Sequence, residues 1–485
     1  NTGKILSNFL RRIKKWTNTL NQTIKTFMQP PSNSEKRNNN IIGWFKAVNI
    51  DYVGNLTNFY APNVPNVPNL SPDTATNILK YTKQKTQPTL NVGVGMGVGM
   101  VKLSDQYTIL LEAKSKLNYY KRIMDTKPSK IFSDTKYSHG TRNFLVTWED
   151  LTNMSDNSKE IKLILKRELH AEMVTNAWLK MYEMLKLIPD LFETYHESLT
   201  SFHLCEAPGA FISSMNHFLQ SQNVANWKWL AQTLKPTDPT ALEDHYGLIQ
   251  QHPNNWLWGP PTDDTGDITH SEVIKWYAAN TKNINFITAD GGIRLDPQMI
   301  NEQEIQMSKI ILGEVISILA CLDKGGYAII KMFLPMSEPL TISLVYLLTL
   351  YFEQVSITKP LSSHADNSEI YLVLSKYRGI QSHTLEMLYM VLDDMNKEII
   401  TSKSTLFNEI PNSFMKAYTN IITTYIQRQI NSLCKSYYHY YHFEKFVNGS
   451  FHHKANLTTV WFETNKINSL DAKHRLLGDR QITNV

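Results

Sequence analysis

Cysteine is scarce in this chain. Its 485 residues include three, Cys205, Cys321 and Cys434. An odd, sparse set argues against a disulfide framework and predicts an intracellular, reducing compartment. No CxxC pair and no Cys/His spacing suited to zinc occurs, so no metal site is expected. Long apolar runs are missing too. The longest, Ile310–Leu322 and Leu340–Phe352, fall short of the about 20 residues that cross a bilayer. They read as core helices, and no membrane association is expected. No secretory signal is visible. The chain opens on Asn1 rather than Met, which predicts a missing or processed N-terminus.

A large excess of either charge is missing as well. Lys and Arg number 49 against 44 Asp and Glu, a net +5. That mild excess permits an anionic partner without demanding one. The apolar share of 42% and the aromatic share of 11% are those of a folded protein with a sizeable core. The length suits two or three domains.

Residues 1–40 read as a basic arm and linker. Ile5, Phe9, Leu10, Ile13 and Trp16 lie at helical spacing beside Arg11, Arg12, Lys14 and Lys15, which suits a solvated arm or partner helix better than an RNA-binding arm. Residues 41–157 form an accessory region punctuated by Pro62, Pro65 and Pro68. Its run Gly93-Val-Gly-Met-Gly-Val-Gly-Met100 lacks a strand–turn–helix frame and reads as a loop. A helix is predicted from about Ser104 to Met124.

A regular pattern begins near residue 158. One long helix is predicted over Lys159–Leu187. Strands then follow at Ser201–Cys205, Trp227–Gln232, Ile284–Ala289, Gly326–Lys331, Gln354–Thr358 and Ile370–Lys376. Helices alternate with them at Phe211–Gln220, Ser271–Asn280, Gln303–Leu322 and Leu340–Tyr351. Such alternation predicts an α/β fold, a mostly parallel, Rossmann-like sheet covered on both faces. Residues 380–485 read as a helical C-terminal region. Tyr437, Tyr438, Tyr440, Tyr441 and Phe443 crowd one of its helices, and packing explains them better than base stacking. His439 and His442 have no carboxylate at ligand spacing, so metal binding is not expected there.

Five segments carry candidate chemistry. Leu204-Cys-Glu-Ala-Pro-Gly-Ala-Phe-Ile212 lies where a strand turns into a helix. In a doubly wound sheet a cofactor binds beyond such strand ends. Small residues let the backbone approach it, and Glu206 is placed to hold an amino or ribose group. Phe286-Ile-Thr-Ala-Asp-Gly-Gly292 ends a strand on Asp290, which suits an active-site acid or an ordinary turn cap. Gly325-Gly-Tyr-Ala-Ile-Ile-Lys331 ends an apolar run on a lysine, costly there unless paired or functional. Lys359-Pro-Leu-Ser-Ser-His-Ala-Asp-Asn-Ser-Glu369 ends on a carboxylate at a strand entrance. Lys180, in Thr175-Asn-Ala-Trp-Leu-Lys180, reads by itself as a snorkelling surface lysine.

Taken in order, Lys, Glu-x-Pro-Gly, Asp-Gly, Lys and Ser-Glu resemble the FtsJ-like ribose 2′-O-methyltransferases. The resemblance is closer to the Adrift type, which includes the cap-2 mRNA methyltransferases of animals. It is carried by His203–Ile212, Trp258-Gly-Pro260, Thr265-Gly-Asp-Ile-Thr269, Thr288-Ala-Asp-Gly291, Lys331-Met-Phe333 and Asn367-Ser-Glu-Ile-Tyr371. The same segments, with Thr175–Leu185 and Ala241–Leu248, resemble the FtsJ-like protein of African swine fever virus. The likeness spans roughly Lys166–Gly379, and a methyltransferase domain is expected over 158–379.

The resemblance implies a Lys180, Asp290, Lys331 and Glu369 tetrad. It implies S-adenosylmethionine as cofactor, held by Glu206, Ala207, Pro208, Gly209, Ala210, Phe211, Asp267 and Asp290. It implies the 5′ end of capped mRNA as substrate, methylated at the cap-1 or cap-2 ribose. Capping or transcription proteins become possible partners. The compartment would be the nucleus or cytoplasm, or the virion or host cytoplasm for a viral chain. Two positions depart from the common family pattern: Ala210 replaces a second glycine, and His364 replaces an arginine that would touch a substrate phosphate.

For the reaction, Lys331 is the expected base, made less basic by burial and by Lys180, with Asp290 opposing. Glu369 is expected to orient Lys180 or the ribose. A methyltransferase of ribosomal or transfer RNA is the alternative enzyme. A catalytically silent RNA-binding subunit is the alternative of another class.

Overall fold

The computed structural model describes residues 76–78, 105–125, 130–134, 142–146, 158–222, 224–293, 302–441 and 458–478. The basic arm, the glycine run at 93–100, and residues 442–457 lie outside them. The chain divides into two compact units, Asn1–Asp73 and Thr74–Val485, and every described element belongs to the second.

Among the described residues, ten strands and the helices between them follow in chain order. They are β1 (Thr76–Ile78), α1 (Asp105–Asp125), β2 (Lys130–Asp134), β3 (Arg142–Val146), α2 (Ser158–Arg167), α3 (Asn176–Leu185), α4 (Pro189–Thr194), β4 (Leu199–Leu204), α5 (Ala210–Leu219), β5 (Trp227–Gln232), α6 (Leu248–Gln251) and β6 (Trp256–Leu257). Then come α7 (Ser271–Asn280), β7 (Phe286–Ala289), α8 (Gln303–Cys321), β8 (Tyr327–Phe333), α9 (Pro339–Tyr351), β9 (Phe352–Thr358), β10 (Glu369–Tyr377), α10 (Ser382–Asn396) and α11 (Asn412–Tyr441). A further helix covers residues 458–465.

Eight strands form one sheet in the order β1-β9-β10-β8-β7-β4-β5-β6, and β2 and β3 form a separate antiparallel pair. β4 to β8 run parallel through four pairings. β10 runs antiparallel to both β8 and β9, and β1 runs antiparallel to β9. The sheet is therefore mixed, with its parallel part as expected. The reversal has a functional consequence. The start of β10 pairs with the end of β8, Glu369 opposite Phe333 and Tyr371 opposite Lys331. A residue at a strand entrance thus joins residues at strand exits.

Both faces of the sheet are covered, because alternate residues of a strand point to opposite sides. Ile330 and Leu372 enter the core formed with α7 to α11 and with Leu110 and Leu117 of α1. Ile329 and Val373 enter the core formed with Trp178, Met181 and Met215 of α3 and α5. The two longest apolar runs are buried as α8 and α9. Among the described residues no helix is long and apolar enough to cross a membrane.

The single helix expected over Lys159–Leu187 is two helices. The chain breaks between Arg167 and Asn176, where His170 (φ 53°) and Met173 (φ 50°) are left-handed. Thr175 restarts the helix by accepting the Trp178 N–H at 3.3 Å. Glu172, in the break, accepts the Leu476 and Leu477 N–H groups at 2.7 and 2.9 Å. Helical spacing continues across this break in the sequence, so periodicity misses it. The helices expected near 104–124 and beyond Gly379 are present as α1, α10 and α11. Tyr440 is buried, whereas Tyr441 is exposed and its ring lies 4.9 Å from that of Tyr437.

Candidate active site

The sheet edge formed by the ends of β4, β7 and β8 and the start of β10 gathers the four tetrad candidates. Lys180 reaches it from α3, with its ammonium 2.6 Å from Glu369 Oε1. Lys331 lies 3.0 Å from Asp290 Oδ1 and donates to the Asp290 carbonyl at 3.0 Å. The Tyr371 hydroxyl links the two pairs, 2.9 Å from Glu369 Oε1 and 3.3 Å from Asp290 Oδ1. The helix break explains the reach of Lys180. With the chain restarted at Thr175, this lysine faces inward and is 8% exposed, unlike the surface lysine its sequence context suggests.

The charges correct one expectation. Lys331 was expected to be less basic than an ordinary lysine. Burial does push it down, but Asp290 and Glu369 pull harder, and its pKa is raised. Burial pushes the Glu369 carboxyl up, yet Lys180 and Lys331 outweigh it and hold the group far below the usual carboxylate range. Glu369 is the anion that two lysines share.

A third lysine stands behind it. Lys359 donates to the Asn367 carbonyl at 3.1 Å, to Asn367 Oδ1 at 2.7 Å and to the Glu369 carbonyl at 2.7 Å. Burial pushes its pKa down to about 7, aided by Lys180 and opposed by Glu369. It clamps the loop that presents Glu369.

The loop after β4 is held by its own carboxylate. Glu206 Oε1 accepts the Phe211 and Ile212 N–H groups at 2.8 and 3.1 Å, at the start of α5. Burial keeps its pKa well above the usual range. Glu206 therefore shapes the loop first, with Oε1 already engaged. Ala207, Pro208, Gly209, Ala210 and Phe211 form the turn into the helix. Gly209 has φ +107°, and a Cβ there would sit 2.3 Å from Leu248 Cδ2. Across the turn, Asp267 Oδ1 accepts from the Thr269 N–H and hydroxyl, both at 2.8 Å. Its Oδ2 lies 3.8 Å from His270 Nε2, and its side chain is 33% exposed, so it remains within reach of a ligand. Gln232, at the end of β5, ties these parts together. Its amide donates to the Gly266 carbonyl and accepts the Cys205 N–H at 2.9 Å.

His203, quoted in the same motif, has a different task. It bonds Ser201 Oγ and Thr288 Oγ1, both at 2.8 Å. Burial pushes its pKa down to about 3, so it is a neutral core group. Among the described residues, no group of three His, Cys, Asp or Glu side chains could hold a metal ion.

The sequence alone assigns no role to Tyr371, Lys359, Gln232 or Glu314, whose Oε1 accepts the Gly291 N–H at 2.8 Å. Tyr371 and Lys359 lie inside motifs quoted for other residues. Glu314 had a direct signal, since a carboxylate inside an otherwise apolar helix needs a partner. Gln232 had none beyond its place at a strand end.

Residues 173–377 match the model of the FtsJ-like methyltransferase family. An uncharacterised protein of Acanthamoeba polyphaga mimivirus is 44% identical over 372 residues, covering 75% of this chain and 46% of that protein. A probable methyltransferase of African swine fever virus (Kenyan isolate) is 31% identical over 345 residues, covering 66% of this chain and 77% of that protein. The cap-specific mRNA (nucleoside-2′-O-)-methyltransferase 2 of Pongo abelii is 30% identical over 345 residues, covering 68% of this chain and 42% of that protein. The chain thus spans less than half the length of the first and third of these relatives. With the four candidate residues gathered at one sheet edge and this extent of shared sequence, the chain belongs to the FtsJ-like methyltransferase family.

Proposed function

We propose that the chain methylates a ribose 2′-hydroxyl near the 5′ end of capped mRNA, at the cap-1 or cap-2 position. The observation that carries the reaction is the paired arrangement of Lys180 with Glu369 and Lys331 with Asp290 around Tyr371. The names of the Pongo abelii and African swine fever virus relatives support methyl transfer, and the former supports capped mRNA as substrate. The domain doing this would span 158–379, with 1–40, 41–157 and 380–485 as flanking regions. Other capping or transcription proteins are the partners to seek.

The residues fit S-adenosylmethionine. Small side chains line the turn at Ala207, Gly209 and Ala210, and partly exposed Asp267 offers an acceptor for an adenine or ribose group. This cofactor would supply the methyl group. A ribose hydroxyl is a poor nucleophile until its proton leaves. Lys331 is the acceptor for that proton once it has given up its own. Asp290 and Tyr371 fix where its amine points. Glu369 holds Lys180 against the ribose side of the site. Reaction then depends on alignment of hydroxyl and methyl carbon, which rigid positioning supplies.

The test is to supply uncapped, cap-0 and cap-1 RNAs with labelled S-adenosylmethionine and map the methylated nucleotide. Label on the first or second transcribed ribose of capped RNA alone is expected. Equal labelling of uncapped RNA would favour a ribosomal or transfer RNA substrate. Cofactor binding without transfer to any RNA would favour a silent binding subunit.

A further inference from the structure

Beneath the Asp290–Gly291 turn lies a carboxyl group that the proposed reaction does not use. Glu314, on α8, is fully buried. Its Oε1 accepts the Gly291 N–H at 2.8 Å. A Cβ on residue 291 would approach that oxygen to 2.7 Å, so the close contact requires glycine there. Three titratable groups face the carboxyl: the Cys205 thiol after β4, Asp290 at the end of β7, and Lys331 on β8.

We propose that Glu314 is a positioning residue of the methyl-transfer site. It holds the Asp290–Gly291 turn from below and sets, through its own charge, how readily Lys331 releases a proton. The second half of this proposal rests on Lys331 being the base.

Burial pushes the Glu314 carboxyl up to about 8, against the opposing pull of the Gly291 N–H and Lys331. At neutral pH it is therefore a neutral acid. In that form it anchors the turn without adding a third anion beside Lys331. When it ionises, its charge joins those of Asp290 and Glu369 in holding the proton on Lys331.

The test uses the full chain carrying Glu314→Gln, which keeps an acceptor and cannot ionise. Linkage fixes the sign for stability. An ordinary carboxyl ionises near 4.5 in the unfolded chain, whereas Glu314 stays protonated to about 8. Between these values the unfolded state loses a proton that the folded state keeps, so wild type is progressively destabilised. The Tm advantage of Glu314→Gln should grow from about pH 5 to about pH 8 and then level off. The activity ratio of Glu314→Gln to wild type should rise roughly threefold or more between about pH 7 and pH 9. Glu314→Ala, which removes the anchor, should lower kcat about tenfold with little change in KM.

An unchanged activity ratio, or a flat Tm difference across this range, overturns the charge half of the proposal, and a wild-type kcat in Glu314→Ala overturns the anchoring half. Failure of the base assignment has a different signature, an active Lys331→Ala. Flat curves for Glu314→Gln in an enzyme that Lys331→Ala inactivates would condemn the Glu314 proposal alone.

Discussion

The Tyr371 hydroxyl donates to Glu369 Oε1 at 2.9 Å while standing 3.3 Å from Asp290 Oδ1. One phenol proton is thus shared between the carboxylates of two separate ion pairs. Burial, reinforced by both anions, pushes the Tyr371 pKa well above that of an ordinary phenol, so the hydroxyl stays a donor at any working pH. Tyr371→Phe keeps the ring and removes this link. We expect kcat to fall roughly tenfold with KM little changed, the pattern of a group that aligns others. Steady-state kinetics on a capped RNA checks it, and unchanged kcat would show that the two pairs hold themselves.

Lys331 carries a raised pKa in this arrangement, which fixes the sign of a pH effect. A base must be neutral, and the neutral fraction of such a lysine rises tenfold per pH unit below its pKa. The rate of methyl transfer should therefore climb with a slope near one between about pH 6 and pH 8. Lys331→Ala should lose about 100-fold or more at every pH. A flat pH profile with the same loss would mean that Lys331 works as a cation.

Lys359 offers three donors to three acceptors in the 367–369 loop. Lys359→Met strands those acceptors in a buried place, at a cost of about 1–3 kcal/mol for each group left unsatisfied. The expected result is a lower denaturation midpoint together with reduced activity, since Glu369 loses its anchor. Urea unfolding and initial rates measure the two. A stable variant with normal rates would show that the loop is held from elsewhere.

Gly209 holds φ +107° at the turn into α5. The Leu248 side chain could swing away from an added Cβ, but the backbone strain would remain. Gly209→Ala is expected to cost about 1–3 kcal/mol of stability. It should also weaken S-adenosylmethionine binding in calorimetry, because the loop shifts. Equal stability and equal binding would remove this turn from the cofactor site.

Much of the architecture was legible along the chain. The strand Trp227–Gln232 and the helix Ser271–Asn280 have the ends their patterns predict, because apolar spacing and turn residues are local signals. The tetrad candidates were legible as well, three of them as polar residues at strand ends and Lys180 through family resemblance. Two features were hidden for a physical reason. The break before α3 depends on left-handed residues and on Glu172 bonding the backbone of Leu476 and Leu477, some three hundred residues away. The antiparallel entry of β10 depends on which strands it pairs with, and its own sequence carries no direction.

By itself the sequence determined the alternation of strands and helices, the identity of the polar residues at the strand ends, and their order. Tertiary structure decided their charge and their partners. Lys331 keeps its proton because Asp290 and Glu369 converge on it from β7 and β10. Glu206 turns to the N-terminus of α5 because the loop folds back over it. Periodicity is a property of neighbours along the chain. A pKa is a property of neighbours in space, and in this protein those neighbours come from elements far apart in the chain.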